Sequence, residues 1–173
     1  TRLQQTADAE ARADIKSLID LLDRRIAKAD SRMRAIIDAI PALAEIDRQM
    51  RTVPGVGPIV AATLIAELPE LGRLDRRSIA ALAGLAPIAR DSGKRAGRRT
   101  IGGGRPIVRT MLYIAGLHAS RRDTAFRDFR LRLEAAGKPV KAAITATARK
   151  LLTVLNAMLA AGTDYRPVIS NHG

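Results

Sequence analysis

The sequence predicts an all-α chain: a long N-terminal coiled-coil helix, then a compact helical domain containing a helix-hairpin-helix motif. Three observations carry this expectation. Hydrophobic residues make up 47% of the chain and aromatics only 2%, so the core must be built from Ala, Leu, Ile and Val, which suits packed helices better than a β-sandwich. Near the N-terminus apolar residues recur at steps alternating between four and three. Beyond that, prolines and glycines fall where helices start and stop. The 173 residues suffice for one domain with a real core, or one domain plus an appendage.

The first element is the heptad seam: Ile15, Ile19, Leu22, Ile26, Ala29, Met33, Ile36, Ile40 and Leu43. Arg, Lys and Asp fill the faces between, a pattern that pairs two subunits in a coiled coil; the plainer alternative is a long helix packed on its own domain. Pro41 interrupts the rhythm and opens a new helix, PALAEIDRQMRT. Asp75 is a good N-cap for a short helix from about Arg76 to Ala83, which Gly84 and Pro87 end. The triplet Gly102, Gly103 and Gly104 predicts a loop or irregular hairpin. Pro106 starts a helix to about Ser120, with Ile107, Met111, Ile114 and Leu117 on one side and His118 capping its end. A further helix covers Thr124 to Ala136, and Pro139 opens the last, which stops at Gly162. The tail TDYRPVISNHG should be frayed. This divides the chain into a dimerisation helix (residues 1–43), a helical domain (44–165) and a flexible tail (166–173).

Between the second helix and the next stands PGVGPIVAATLIAEL. Apolar, Gly, apolar, Gly, three residues and Ala is the helix-hairpin-helix spacing, here Val53, Gly55, Val56, Gly57 and Ala61. The glycines permit a tight turn and a close backbone approach to a phosphate. Val56 plugs the core beneath, and Pro58 pre-sets the first turn of a helix whose positive end attracts a phosphate oxygen. Such contacts read backbone and not base sequence. A plain turn between two helices, with no ligand, has the same spacing.

The formal charge of +13 favours a polyanionic partner: nucleic acid, an anionic membrane surface or an acidic protein. No apolar run approaches the roughly 20 residues of a membrane span, and no signal peptide is recognisable. Thr1 suggests a piece of a longer protein. Without cysteine there is no disulfide or cysteine-based zinc site, and two histidines exclude a histidine-rich one. A cytoplasmic nucleic-acid-binding protein is the leading expectation.

The charge concentrates in RDSGKRAGRRTIGGGRPIVR, where Lys94, Arg95, Arg98, Arg99, Arg105 and Arg109 are candidate phosphate contacts. No aromatics interleave them, so base stacking is not indicated there. Ser92, beside Asp91 and Gly93, is by composition a turn residue. As a nucleophile it would need a base or a field of guanidiniums to support the alkoxide and a phosphoryl transition state. The acids Asp75, Asp91, Asp123 and Asp128 sit among arginines and read as caps and salt bridges, so this chain should not assemble a two-metal site alone.

The order of these pieces resembles one transposase family. A heptad helix is followed by VPGVGPIVAATLIAEL, then SIAALAGLAPIARDSGKR, then TIGGGRPIVRTMLYIAG, with Gly104, Arg109, Leu112, Tyr113 and Ala115 at the last helix start. This is similar to the C-terminal domain of the insertion-sequence transposases numbered 110, 116 and 902, relatives of the Piv-type invertases, over residues 45–165. The resemblance implies an N-terminal RuvC-like domain elsewhere in the whole protein, bearing a DEDD set of acids for Mg. It implies DNA cutting and rejoining, a covalent serine–DNA link with Ser92 at the matching position, and in some members a structured guide RNA. It also implies that this chain alone is inactive. Where the family often has Lys-x-Gly-Asn, this chain has Ile101, Gly102, Gly103 and Gly104; a turn with φ > 0 is open to Gly as to Asn, but any Asn side-chain contact is lost. A non-catalytic helix-hairpin-helix module binding duplex backbone, or a coiled-coil scaffold, would share many of these features.

Overall fold

The computed structural model describes residues 8–88 and 100–167. Seven helices and one two-residue strand pair stand among them, so the fold is all-α: α1 (Ala9–Asp38), α2 (Pro41–Arg51), α3 (Pro58–Glu67), α4 (Arg76–Leu82), β1 (Pro87–Ile88), β2 (Thr100–Ile101), α5 (Pro106–Arg122), α6 (Thr124–Ala135) and α7 (Val140–Ala161). The chain divides into two compact units, Thr1–Ile40 and Pro41–Gly173.

Among its described residues the first unit holds the 30-residue helix α1, opened by Asp8, whose carboxylate accepts from Glu10 N at 3.0 Å. The apolar seam lies along it and faces water: Ile19, Leu22, Ile26 and Ile36 are 42–63% exposed, as is Leu18 beside them.

The second unit packs α2 to α7 around one core that includes Met50, Leu64, Ile79, Leu112, Leu151 and Leu155. Its most extensive helix pair is α5 with α7. At their crossing a Cβ on Gly116 would lie 2.9 Å from the Ala148 backbone, so the missing side chain sets the separation. The buried side of α5 is Val108, Leu112, Ala115 and Ala119, not the expected stripe, of which Ile107 and Ile114 remain exposed. Both faces of α5 are apolar; the one carrying Ala and Gly wins because it lets backbones approach closely.

Start and stop residues mostly act as their chemistry predicts. Asp75 accepts from Arg77 N and Ser78 N at 2.7 and 3.1 Å. Gly84, at φ 66°, ends α4 with bonds from Gly84 N to Ala81 O and from Leu85 N to Ala80 O, the glycine-terminated helix end. α5 runs past Ser120 to Arg122, leaving His118 on an exposed helical surface rather than at a cap. Its end is instead Asp123, which also opens α6 by accepting from Phe126 N at 3.1 Å.

The segment after α7 departs from the expected frayed tail. Asp164 is ion-paired to Arg48 of α2 at 2.8 Å, and Tyr165 N donates to Thr52 Oγ1 at 2.9 Å. The Tyr165 ring stacks on Phe126 at 6.1 Å, and its hydroxyl donates to Asp123 Oδ2 at 2.9 Å. One buried aromatic surface and an ion pair suffice to dock a short polar segment.

Candidate nucleic-acid interface

The turn between α2 and α3 is closed by its own backbone. Thr52 N and Val53 N donate to Gln49 O and Met50 O, and Val56 N donates to Val53 O. Gly55 sits at φ 91°, and a Cβ there would lie 2.5 Å from Ala115 O and 2.6 Å from Ala119 N. Its bare backbone therefore seats the turn on α5. The Val56 side chain is buried in the core, and its N–H is already used inside the turn. Gly57 is different: its φ is −92°, and nothing lies within 4 Å of where its Cβ would be. Among the described residues the N–H groups of Gly57, Ile59 and Val60 have no backbone acceptor. They gather at the positive end of the ten-residue α3, the arrangement that suits an anion. The sequence groups Gly55, Val56 and Gly57 as one phosphate contact; the structure gives the first two internal duties and leaves Gly57 open.

The basic stretch is anchored at its base. β1 and β2 pair antiparallel, Pro87 opposite Ile101 and Ile88 opposite Thr100. Gly103 and Gly104 follow at φ 63° and 58°, and Arg105 N donates to Leu82 O at 2.8 Å. A Cβ on Gly104 would collide with the backbone of Ala81, Leu82 and Gly84. Position 104 thus tolerates no side chain at all, a stricter demand than the positive φ an Asn would meet.

Arg105 grips the loop after α3. Its guanidinium donates to Glu70 Oε2 and Oε1 at 2.6 and 2.7 Å and to Glu67 O at 2.8 Å. This fork holds the Glu70 carboxyl down to about 2, chiefly through the hydrogen bonds from Arg105. Arg109 donates to Gly103 O at 2.7 Å. Of the six cations picked out by sequence, these two are therefore engaged in holding the base of the stretch. The loop carrying Glu70 is fixed in turn by Asn156, buried on α7: its Oδ1 accepts from Gly72 N at 2.8 Å and its Nδ2 donates to Leu74 O at 2.9 Å. Sequence reasoning missed Glu70 and Asn156. An ion pair between residues 35 apart leaves no local signal, although a lone Asn inside an apolar helix is itself a mark of a needed partner.

Ser92, Lys94, Arg95, Arg98 and Arg99 lie outside the described residues. Among the described residues no three His, Asp or Glu side chains gather where they could hold a metal ion, and no helix is long and apolar enough to cross a membrane.

Comparison with known proteins adds the family. The pattern described as the Transposase IS116/IS110/IS902 family matches residues 47–130, from the end of α2 through the turn and the basic stretch into α6. The chain is 33% identical to an uncharacterised 44.8 kDa protein of insertion element IS116 from Streptomyces clavuligerus, over 84% of this chain and 36% of that protein. It is 34% identical to an uncharacterised 42 kDa protein of insertion element IS900 from Mycobacterium paratuberculosis, over 67% of this chain and 30% of that protein. A 43.6 kDa protein of insertion element IS110 from Streptomyces coelicolor is 28% identical over 79% of this chain and 33% of its own length. The chain spans about a third of the length of the curated relatives it matches. With its turn, its anchored basic stretch and its helix order all inside the matched region, this chain belongs to the IS116/IS110/IS902 transposase family.

Proposed function

We propose that this chain is the DNA-handling, serine-bearing part of an insertion-element transposase, and that Ser92 is its nucleophile. One observation carries the reading: the family match over residues 47–130 takes in both the open Gly57 turn and the basic stretch of a chain with charge +13. The α2–α3 turn acts as a helix-hairpin-helix, with the N–H groups of Gly57, Ile59 and Val60 meeting a backbone phosphate. Lys94, Arg95, Arg98 and Arg99 hold phosphates of the strand to be cut. Arg105 and Arg109 keep the ends of that stretch in register.

In the cleavage step the Ser92 oxygen attacks a DNA phosphorus and loses its proton. A Ser–phosphorus bond forms, the bond from phosphorus to one deoxyribose oxygen breaks, and that oxygen leaves as a hydroxyl. Neighbouring guanidiniums stabilise the charge on the phosphoryl oxygens. Among the described residues no three His, Asp or Glu side chains gather to hold a metal ion; in this proposal Mg would be held by the DEDD acids of a separate RuvC-like domain. Pairing of α1 with a second copy, a structured guide RNA and a bacterial cytoplasmic setting complete the proposal.

The test is Ser92→Ala in the whole transposase. Recombination should be abolished while nucleic-acid binding stays nearly unchanged, and the covalent protein–DNA adduct should vanish. Full recombination in that variant would overturn the catalytic role and leave the second reading, a non-catalytic module gripping duplex backbone.

A further inference from the structure

The chain holds only four aromatic residues, two Phe and two Tyr, and three of them converge on one place. Phe126 and Phe129 of α6 and Tyr165 of the docked segment line a cleft of about 240 Å³, together with Arg132 of α6 and Lys150 of α7. The volume is below the roughly 300 Å³ at which sites for drug-sized ligands begin, so the cleft suits a single ring. Phe126 is buried and stacked on Tyr165, while Phe129 is only partly covered. The Lys150 ammonium lies 4.8 Å from the Phe129 centroid and 5.6 Å from that of Phe126; its one hydrogen bond goes to Ala125 O at 3.2 Å. The Arg132 guanidinium lies 5.6 Å from the Phe129 centroid. Burial, and then the charge of Arg132, push the Lys150 ammonium below its ordinary value, against the opposing pull of Asp123 and Asp128.

The surroundings have the same character. Between Arg121 and Lys150 the sequence holds nine Lys or Arg against three acids. Two of those acids are engaged: Asp123 caps α6 and takes the Tyr165 hydroxyl, and Glu134 pairs with Arg130 at 3.5 Å; the third, Asp128, is a single carboxylate in the cleft lining, beside Arg132 and Lys150. Arg121, Arg122, Arg127, Arg132, Lys138 and Lys141 are exposed. Flat π-surfaces with guanidinium and ammonium beside them, inside a field of cations, are the elements that bind single strands: a base stacks while phosphates meet the charges. A duplex cannot offer this, because its bases are already stacked.

We infer that the α6–α7 cleft is a second nucleic-acid site, distinct from the basic stretch, which takes one unstacked base of a single strand while the flanking cations hold its phosphates. It stands apart from the Ser92 proposal, since it uses none of residues 90–109.

The experiment uses the 173-residue chain and an oligonucleotide of about ten residues carrying one fluorescent adenine analogue, as DNA, as RNA and as a blunt DNA duplex. Binding of either single strand should quench the analogue, and the duplex should bind without quenching. Phe129→Leu should remove the quenching and weaken single-strand binding about tenfold, with duplex binding unchanged. Lys150→Gln, which keeps the packing if Phe129→Leu does not fold, should lower the slope of log Kd against log salt by about 0.7 for the single strand. Replacing Arg95, Arg98 and Arg99 with Ala should weaken duplex binding and leave the quenching in place. A larger Phe129 effect on RNA, on DNA, or an equal one on the two, supports the site and names its strand. Unchanged quenching and affinity in folded Phe129→Leu and in Lys150→Gln, or quenching lost only in the triple-Arg variant, would overturn it.

Discussion

At the scale of single residues, the two glycines of the α2–α3 turn separate stability from binding. Gly55→Ala adds a side chain at φ 91° and drives it into the α5 backbone. The left-handed conformation costs about 1–2 kcal/mol and overpacking adds about 1–3 kcal/mol, so urea unfolding should show a loss in that range or above. Gly57→Ala places a methyl in open space at an ordinary φ; stability should stay within about 0.5 kcal/mol. On the proposed phosphate contact its nucleic-acid affinity should fall, and an unchanged affinity would remove Gly57 from the interface. The spacing made the turn legible, but it could not say which glycine serves the fold. That depends on α5, some 60 residues on, pressing against Gly55.

Glu70 makes the second residue-scale prediction. Its carboxyl is held from 4.5 down to about 2 by the Arg105 fork. A depressed carboxylate contributes stability that is present above the unfolded value and lost as pH falls toward the folded one. The Arg105 clamp therefore weakens between about pH 4.5 and about pH 2. Urea midpoints measured across that window should fall less steeply in Glu70→Gln than in the wild type. Identical slopes would show that the pair adds nothing on the acid side, since exposed pairs are screened by solvent.

At the scale of elements, the anchoring of the basic stretch passes through a loop and a helix. Asn156 on α7 holds Gly72 N and Leu74 O, and that loop presents Glu70 to Arg105. Asn156→Ala leaves a backbone donor and a backbone acceptor without their partner, at about 1–3 kcal/mol each when such groups stay buried. A loss of about 2 to 4 kcal/mol in unfolding experiments is the expected outcome. Faster hydrogen exchange at Gly72 should accompany it, and protection equal to wild type there would contradict the assignment.

Helix identity and most boundaries were legible because caps and breakers act locally: Asp75, Gly84, Pro106, Gly137 and Gly162 all stand at helix ends. The buried face of α5 was not legible. Ile107, Met111 and Ile114 carry more hydrophobicity than Ala115, Gly116 and Ala119, but interiors reward close backbone contact as well as apolar area. The docking of Asp164 and Tyr165 was equally hidden. Their partners Arg48 and Asp123 are distant in sequence, and a polar tail has no periodicity to announce a fold.

At the scale of the whole molecule, α1 leaves a row of large apolar side chains in water, with Leu22 at 47% and Ile26 at 58% exposure. A heptad row of this kind is stable when a second helix covers it. On the proposed pairing, Leu22→Asp with Ile26→Asp should give a monomer by sedimentation at micromolar concentration, where the wild type sediments as a dimer or larger. The same mass for the two proteins would remove α1 as the pairing element. The all-α class was readable from composition, and the family from the order of motifs. The base of the candidate site was only partly readable, because what fixes it is a relay of contacts from Asn156 through Glu70 to Arg105.

The ion pair between Arg48 and Asp164 has a topological consequence. Arg48 lies seven residues, or about 10 Å of helix, from the start of α2 at Pro41, so the polypeptide enters the second unit and leaves it through one doorway. A domain with adjoining ends can be spliced into a host loop as a cassette, or have its ends joined and be cut open elsewhere. Gly137, in the tight connection between α6 and α7 with nothing around its Cβ position, is the natural place for such a cut.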